Sequence, residues 1–220
     1  MIVTAIEPYR KDKYRIYLND AFAFVLYKGD LRHFDIAEGK DLSEEELNAI
    51  REEVLVKRAK MRAMNLLTAR DYTEDALRRK LKEGLYPDDI TEEAIAYVKR
   101  FHYVDDRRYA LSYIEAHADS LSGRQILEKL KNKGIDPALV SDCLETYAAE
   151  NETDETEREL EILKEQMKKK LRTFLSKEGE ETGLSYEQKQ KLFAQFYRRG
   201  FSISLIEKAY EQLIFNSSEL

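Results

Sequence analysis

A chain of 220 residues with 43% hydrophobic and 36% charged residues can bury a core, and no apolar run approaches the roughly 18 residues of a membrane span. The formal net charge of -6 argues against a nucleic-acid binder working by bulk charge, though a local basic face stays open. One cysteine, Cys143, excludes an internal disulfide and fits a reducing compartment; with no basic-then-apolar leader at the start, a cytoplasmic protein is expected.

Residues 1–42 read differently from the remainder. Ile2 to Ile6, Tyr14 to Leu18 and Ala21 to Leu26 have strand patterning, with Asn19-Asp20 as a two-residue turn, so a small antiparallel β segment is predicted. Two or three strands alone are marginal, and the sheet should pack on the helix that follows. Gly29 and Gly39 bracket a short segment expected to make a turn or two of helix. Ser43 and Glu46 form a capping box, and Leu47, Ile50, Val54, Leu55, Ala59 and Arg62 continue at helical spacing towards about Ala69.

From there the chain is helical and repetitive. Leu77 and Leu81 are followed by Gly84; Ile126 and Leu130 by Gly134; Leu192 and Phe196 by Gly200. Each glycine is expected to sit in the left-handed region and end the helix, the first copy being one residue shorter than the others. Asp136-Pro137 and Ser202 are start signals for the helices that follow. Those helices carry the stripes Ile90, Ala94, Ile95, Val98; Val140, Cys143, Leu144, Tyr147; and Ile206, Ala209, Tyr210, Leu213. Cys143 therefore reads as core. With one further helix before each pair, the fold class is mainly α: three tandem three-helix repeats in an elongated, curved array behind the β segment. The expected segments are 1–42, 43–105, 106–150 and 151–220, with an acidic joint near Asn151–Thr156 and a loop at Ser176–Gly183 closed by a Ser185–Gln188 capping box.

Catalytic signals are poor. His33, His102 and His117 lack partners at zinc spacing, and no phosphate-binding glycine motif occurs, so no cofactor, metal or enzymatic activity is expected. Asp105-Asp106 reads as a helix-start pair, and Tyr103 and Tyr109 as anchors of the junction between repeats. The basic clusters carry the only functional signal. Arg78, Arg79 and Lys82 should point away from the Leu77–Leu81 face; Arg107, Arg108, Arg124, Lys131, Arg198 and Arg199 add to them. Arg78-Arg79 and Arg198-Arg199 both lie on the first helix of a pair, so stacking could string charge along one surface. Residues 57–118 hold 13 basic and 11 acidic residues, against 8 and 12 in residues 1–56, which leaves a phosphate-tracking or acidic-partner groove open.

Three pieces carry a family resemblance: Leu77-Arg78-Arg79-Lys80-Leu81-Lys82-Glu83-Gly84, Tyr103-Val104-Asp105-Asp106-Arg107-Arg108-Tyr109-Ala110, and Gly123 to Ile135 with its Lys133-Gly134-Ile135 end. Over about residues 45–215 the chain resembles RecX, the regulatory protein of the RecA recombinase, and its strand segment resembles the extension of longer Gram-positive members. The resemblance implies a non-enzymatic negative modulator. Such proteins bind along the RecA–single-stranded-DNA filament and restrain ATP hydrolysis, strand exchange and the co-protease activity behind the SOS response. It implies the RecA filament as partner, with single-stranded DNA as a second ligand, no membrane and a monomer. The motif does not assign contact residues; the nine basic residues are candidates on electrostatic grounds. The competing reading is a helical-repeat adaptor with no nucleic-acid-related role.

Overall fold

In the computed structural model, residues 1–151, 154–178 and 184–217 are described. They open with β1 (Val3–Arg10), β2 (Lys13–Leu18) and β3 (Ala21–Tyr27), an antiparallel sheet in the order β1-β2-β3. Asn19 and Asp20 have φ of 48° and 64°, the positive pair that a tight I′-type hairpin needs. Strand alternation puts Ile16, Leu18, Phe24 and Leu26 inward, where they join Ile50, Val54, Leu55 and Ala59 in one apolar cluster. The expected packing of the sheet on the next helix is what is found. The amino terminus is tied down as well: Val3 donates to the Lys40 carbonyl at 2.9 Å, and the Met1 amine to Asp41 at 2.8 Å.

A short α1 (Lys28–His33) precedes the first long element. This starts at the Ser43–Glu46 capping box as α2 (Glu44–Ile50), passes through a π-helical turn (Arg51–Val56), and continues as α3 (Lys57–Ala69). The wider turn explains why Val54, Leu55 and Val56 are all buried in succession, which a regular 3.6-residue period does not allow. Arg62, read as part of the buried stripe, is exposed, because the stripe moves to Ala59 and Ala63 after that turn. The paired helices follow: α4 (Glu74–Glu83) and α5 (Asp88–Arg100); then α6 (Asp106–His117), α7 (Gly123–Lys131) and α8 (Pro137–Glu150); then α9 (Glu155–Glu178), α10 (Tyr186–Arg198) and α11 (Ile203–Ser217).

The chain divides into two compact units, Met1–Asp106 and Arg107–Leu220. The first holds the sheet and α1–α5 around one apolar cluster. The second holds two clusters, one on Ala110, Ile114, Ile126, Leu130, Val140 and Cys143, the other on Leu163, Met167, Leu192, Phe196, Ile206 and Ala209. Cys143 is fully buried, in agreement with its place in the stripe. Ser176 to Glu178 are helical rather than looped; the rest of the expected loop, residues 179–183, and residues 152–153 of the expected joint lie outside the described residues.

The repeat register differs from the reading of the glycines. Gly84 has φ -79°, and the left-handed residue is Leu85 at +62°. Gly134 (+86°) and Gly200 (+99°) hold the same place in the later copies. In each copy the residue four beyond the last buried one donates back three residues, and the next donates back five: Leu85 to Lys82 and Tyr86 to Leu81, Gly134 to Lys131 and Ile135 to Leu130, Gly200 to Tyr197 and Phe201 to Phe196. This is the Schellman closure. Leu81, Leu85, Thr91, Ala94 and Val98 thus lie 49 residues before Leu130, Gly134, Val140, Cys143 and Tyr147, and no residue is missing from the first copy. The first copy places a leucine where the others use glycine, at the strain cost of a branched residue in the left-handed region.

Candidate functional site

The helix starts are built by short-range chemistry and then joined across helices. Thr73, Ser122 and Ser185 accept from Ala76, Gln125 and Gln188 at the heads of α4, α7 and α10. Ser202 accepts from Leu205, and Asp136 from Ala138, as their places in the chain foretold. A second layer was not legible. The Asp106 carboxylate accepts from the Glu74 amide at 2.8 Å, and the Glu159 carboxylate from the Gly123 amide at 3.0 Å. Glu74 and Gly123 hold equivalent places, each the first residue of the middle helix. So the first helix of the following repeat supplies an acid to the head of the middle helix in both copies. Asp105-Asp106 was read as a pair at the start of its own helix; the Asp106 carboxyl caps α4. Burial raises its pKa, with the charges of Glu74 and Asp105 adding and the Glu74 amide opposing.

Of the basic candidates, Arg78, Lys82 and Arg107 are held by acids on neighbouring helices. Arg78 does not stand clear of the packed face: it is bidentate to Glu92 on α5, Nε to Oε1 at 2.5 Å and Nη2 to Oε2 at 3.0 Å. The hydrogen bonds that Arg78 donates to Glu92 raise the Arg78 pKa against its desolvation and lower that of Glu92. Arg79 lies 3.1 Å from Asp75 one turn earlier, and Lys82 3.0 Å from Asp88. Arg107 is paired with Asp142 on α8 and reaches Thr146 at 3.3 Å. Arg199 donates to Gln166 at 3.1 Å and covers the Phe196 ring. Arg198 donates to the Ala194 carbonyl of its own helix. Arg124 is exposed, and its aliphatic stem lies over Gly200, where an added Cβ would fall 2.7 Å from it. Arg108 and Lys131 are exposed.

One sequence reading changes here. Arg78 is one residue past Leu77, in the middle of its helix, whereas Arg198 is two past Phe196, at the end of its helix. The two pairs therefore hold different places on their helices. The cations that recur in register are Lys80 with Lys129, Lys82 with Lys131 and Lys133 with Arg199. Tyr103 is 48% exposed and stacked on Phe101, with ring centroids 6.0 Å apart. Tyr109 is half-buried beneath the Lys133 ammonium.

A second charged network binds the long helix to α5. Arg51 reaches Asp89 at 3.1 Å and Glu93 at 2.9 Å, and Lys60 reaches Glu93 at 2.8 Å. The Lys60 hydrogen bond dominates the lowering of the Glu93 pKa. Among the described residues no three His, Cys, Asp or Glu side chains converge as a metal site, and no helix is long and apolar enough to cross a membrane. Two open concavities carry unlike chemistry: one on the second unit is lined by Asp119, Glu157, Glu161 and Glu165 around Arg158, and one on the first by Tyr27, Arg58, Arg62 and Tyr86.

A small sheet followed by three-helix repeats, with helix heads capped by the next repeat and surfaces laced with ion pairs, defines a helical-repeat protein. Residues 59–97 match the family model of the first three-helix domain of RecX, and residues 105–144 that of the second. Across both of these three-helix domains the chain is similar to the RecX family. It is 28% identical to the regulatory protein RecX of Caldanaerobacter subterraneus over 95% of this chain and 98% of that one. It is 26% identical to the regulatory protein RecX of Bacillus subtilis, over 99% of this chain and 79% of that one. A crystal structure of regulatory protein RecX superposes with a TM-score of 0.63 at 26% identity, covering 96% of this chain and 98% of the other. The RecX structure from Lactobacillus salivarius, at 22% identity and a TM-score of 0.58, has the same fold over 73% of this chain.

Proposed function

We propose that this chain is a non-enzymatic negative modulator of the RecA recombinase that acts in the cytoplasm as a monomer. It binds along the RecA–single-stranded-DNA filament and restrains ATP hydrolysis, strand exchange and co-protease activity. Each repeat, 43–105, 106–150 and 151–220, serves as one contact module. The observation that carries the reading is near full-length similarity to proteins named as RecX regulators. The surface chemistry agrees with it. Arg79 and Lys82 on α4, Arg108 on α6, Arg124 and Lys131 on α7 and Arg198 on α10 are exposed cations, suited to weak, distributed contacts with a polymer. Arg78, Arg107 and Arg199 are held by intramolecular partners and orient the helices that carry the others.

The test is an ATPase and strand-exchange assay with a bacterial RecA filament. Inhibition at stoichiometric amounts is the expected result, and no effect at that ratio removes the proposal. A Lys82→Glu and Lys131→Glu double variant, which alters one pair of the cations recurring in register, should weaken inhibition severalfold with little change in melting.

A further inference from the structure

The outward face of the sheet has a composition that packing does not require. Alternation puts Glu7, Lys13, Arg15, Tyr17, Phe22 and Tyr27 on the side opposite the core. A solvent face of an antiparallel sheet is ordinarily polar. Here Phe22 is 41% exposed and Tyr27 38% exposed. Tyr17 and Phe22 meet edge to face with centroids 6.0 Å apart, leaving ring surface open to solvent. The cations stand among the rings. Arg15 lies 4.4 Å from the Tyr9 centroid, and Lys13 and Arg58 lie 4.9 and 4.5 Å from that of Tyr27. Arg58 comes to the Tyr27 ring from α3, is held by Asp30 at 2.8 Å and is not part of this face. Glu7 is the acid of this face, opposite Arg15 and accepting from the Tyr17 hydroxyl at 3.0 Å.

We propose that this face of β1–β3 is a stacking platform for single-stranded nucleic acid. Unpaired bases lie on the Tyr17–Phe22 rings while Lys13 and Arg15, one strand pleat away, take the phosphates. Rings interleaved with cations on an open sheet suit this ligand because every base offers a flat π surface and every linkage a negative charge. A duplex hides its bases and fits less well. An acidic or apolar peptide would use one half of the chemistry and leave the other unmatched. The platform needs no recombinase, so it goes beyond the regulatory reading and can stand or fall separately.

The test is fluorescence anisotropy of a labelled oligothymidylate with the full chain alone, without recombinase. Binding is expected, with a clear preference for the single strand over the same length of duplex. Phe22→Ala and Tyr17→Leu should each weaken it about tenfold, since stacking on one ring is worth roughly that per base. Tyr17→Phe, which keeps the ring, should leave affinity near wild type and so guards against a folding artefact. Lys13→Gln with Arg15→Gln should flatten the slope of log affinity against log salt by about 1.4, at roughly 0.7 per phosphate on single strands. No binding, equal binding of duplex, or unchanged affinity in Phe22→Ala and Tyr17→Leu overturns the proposal. So does loss of recombinase inhibition in those variants with oligonucleotide affinity intact, which would make the face a protein contact.

Discussion

Reversing Arg78 to glutamate separates structural from functional use of the basic face. In the fold Arg78 Nε and Nη2 clasp both oxygens of Glu92, with the Arg78 side chain 28% and Glu92 54% exposed. A partly exposed pair of this kind contributes about 0.5–1 kcal/mol. Putting a carboxylate opposite Glu92 removes that and adds like-charge repulsion of similar order, so Arg78→Glu should cost about 1–2 kcal/mol. At roughly 4–8 °C per kcal/mol for a unit of this size, the melting temperature of the first unit should fall by about 5–15 °C. Arg78→Glu combined with Glu92→Arg restores an opposite-charge pair across the same gap and should recover most of that loss. The assay is thermal unfolding by circular dichroism, with recombinase inhibition measured on the same preparations. If the swap restores both melting and inhibition, Arg78 acts by holding α4 on α5. If melting returns and inhibition does not, the guanidinium itself is at the contact. A single reversal that leaves melting unchanged would refute the clasp. The pH dependence has a fixed sign. The Glu92 pKa is depressed in the fold, so the pair's contribution is present above the unfolded carboxylate value, near 4.5, and is lost as pH falls through the folded one. Wild type and Arg78→Gln should therefore converge in stability at acid pH.

Asp106→Ala should cost about 1 kcal/mol by leaving the Glu74 amide without its acceptor, whereas Asp106→Asn keeps an acceptor and should melt near wild type. Because burial raises the folded pKa of Asp106, its contribution is largest below the unfolded value of 3.8 and declines as pH rises through the folded one; Asp106→Asn should thus gain on wild type between acid and neutral pH. Gly200→Ala should destabilise the second unit by about 1–2 kcal/mol, since φ is +99° and the new methyl would meet the Arg124 stem; chemical denaturation reads this directly. Leu85→Gly relieves left-handed strain, so it should cost less than Gly200→Ala or raise stability; a larger loss would show that the Leu85 side chain outweighs its backbone. Cys143, at 0% exposure, should react with a thiol reagent only on opening of the second unit, and its labelling rate should rise with denaturant.

How much was legible follows from where each piece of information resides. Strands, helix stripes, the Asn19-Asp20 turn, the capping boxes at Ser43 and Ser185 and the burial of Cys143 are written in residues less than two helical turns apart. Local sterics and periodicity decide them, so the amino-acid order alone determined the three-helix repeats and the sheet before them. The register of the first repeat was missed because Gly84 attracts attention as the usual left-handed residue, and only backbone geometry shows Leu85 in that place. The basic residues were visible, but their partners were not. Glu92 is 14 residues from Arg78 and Asp142 35 from Arg107, and the count of charges is the same whether a cation faces water or an acid on the next helix. The acid from the next repeat at the head of α4 and α7 and the ringed face of the sheet are likewise products of juxtaposition. Side chains far apart in the chain acquire partners, desolvation and altered proton affinity only when helices and strands come within a few ångströms of one another, and the tertiary structure alone decides which of them do.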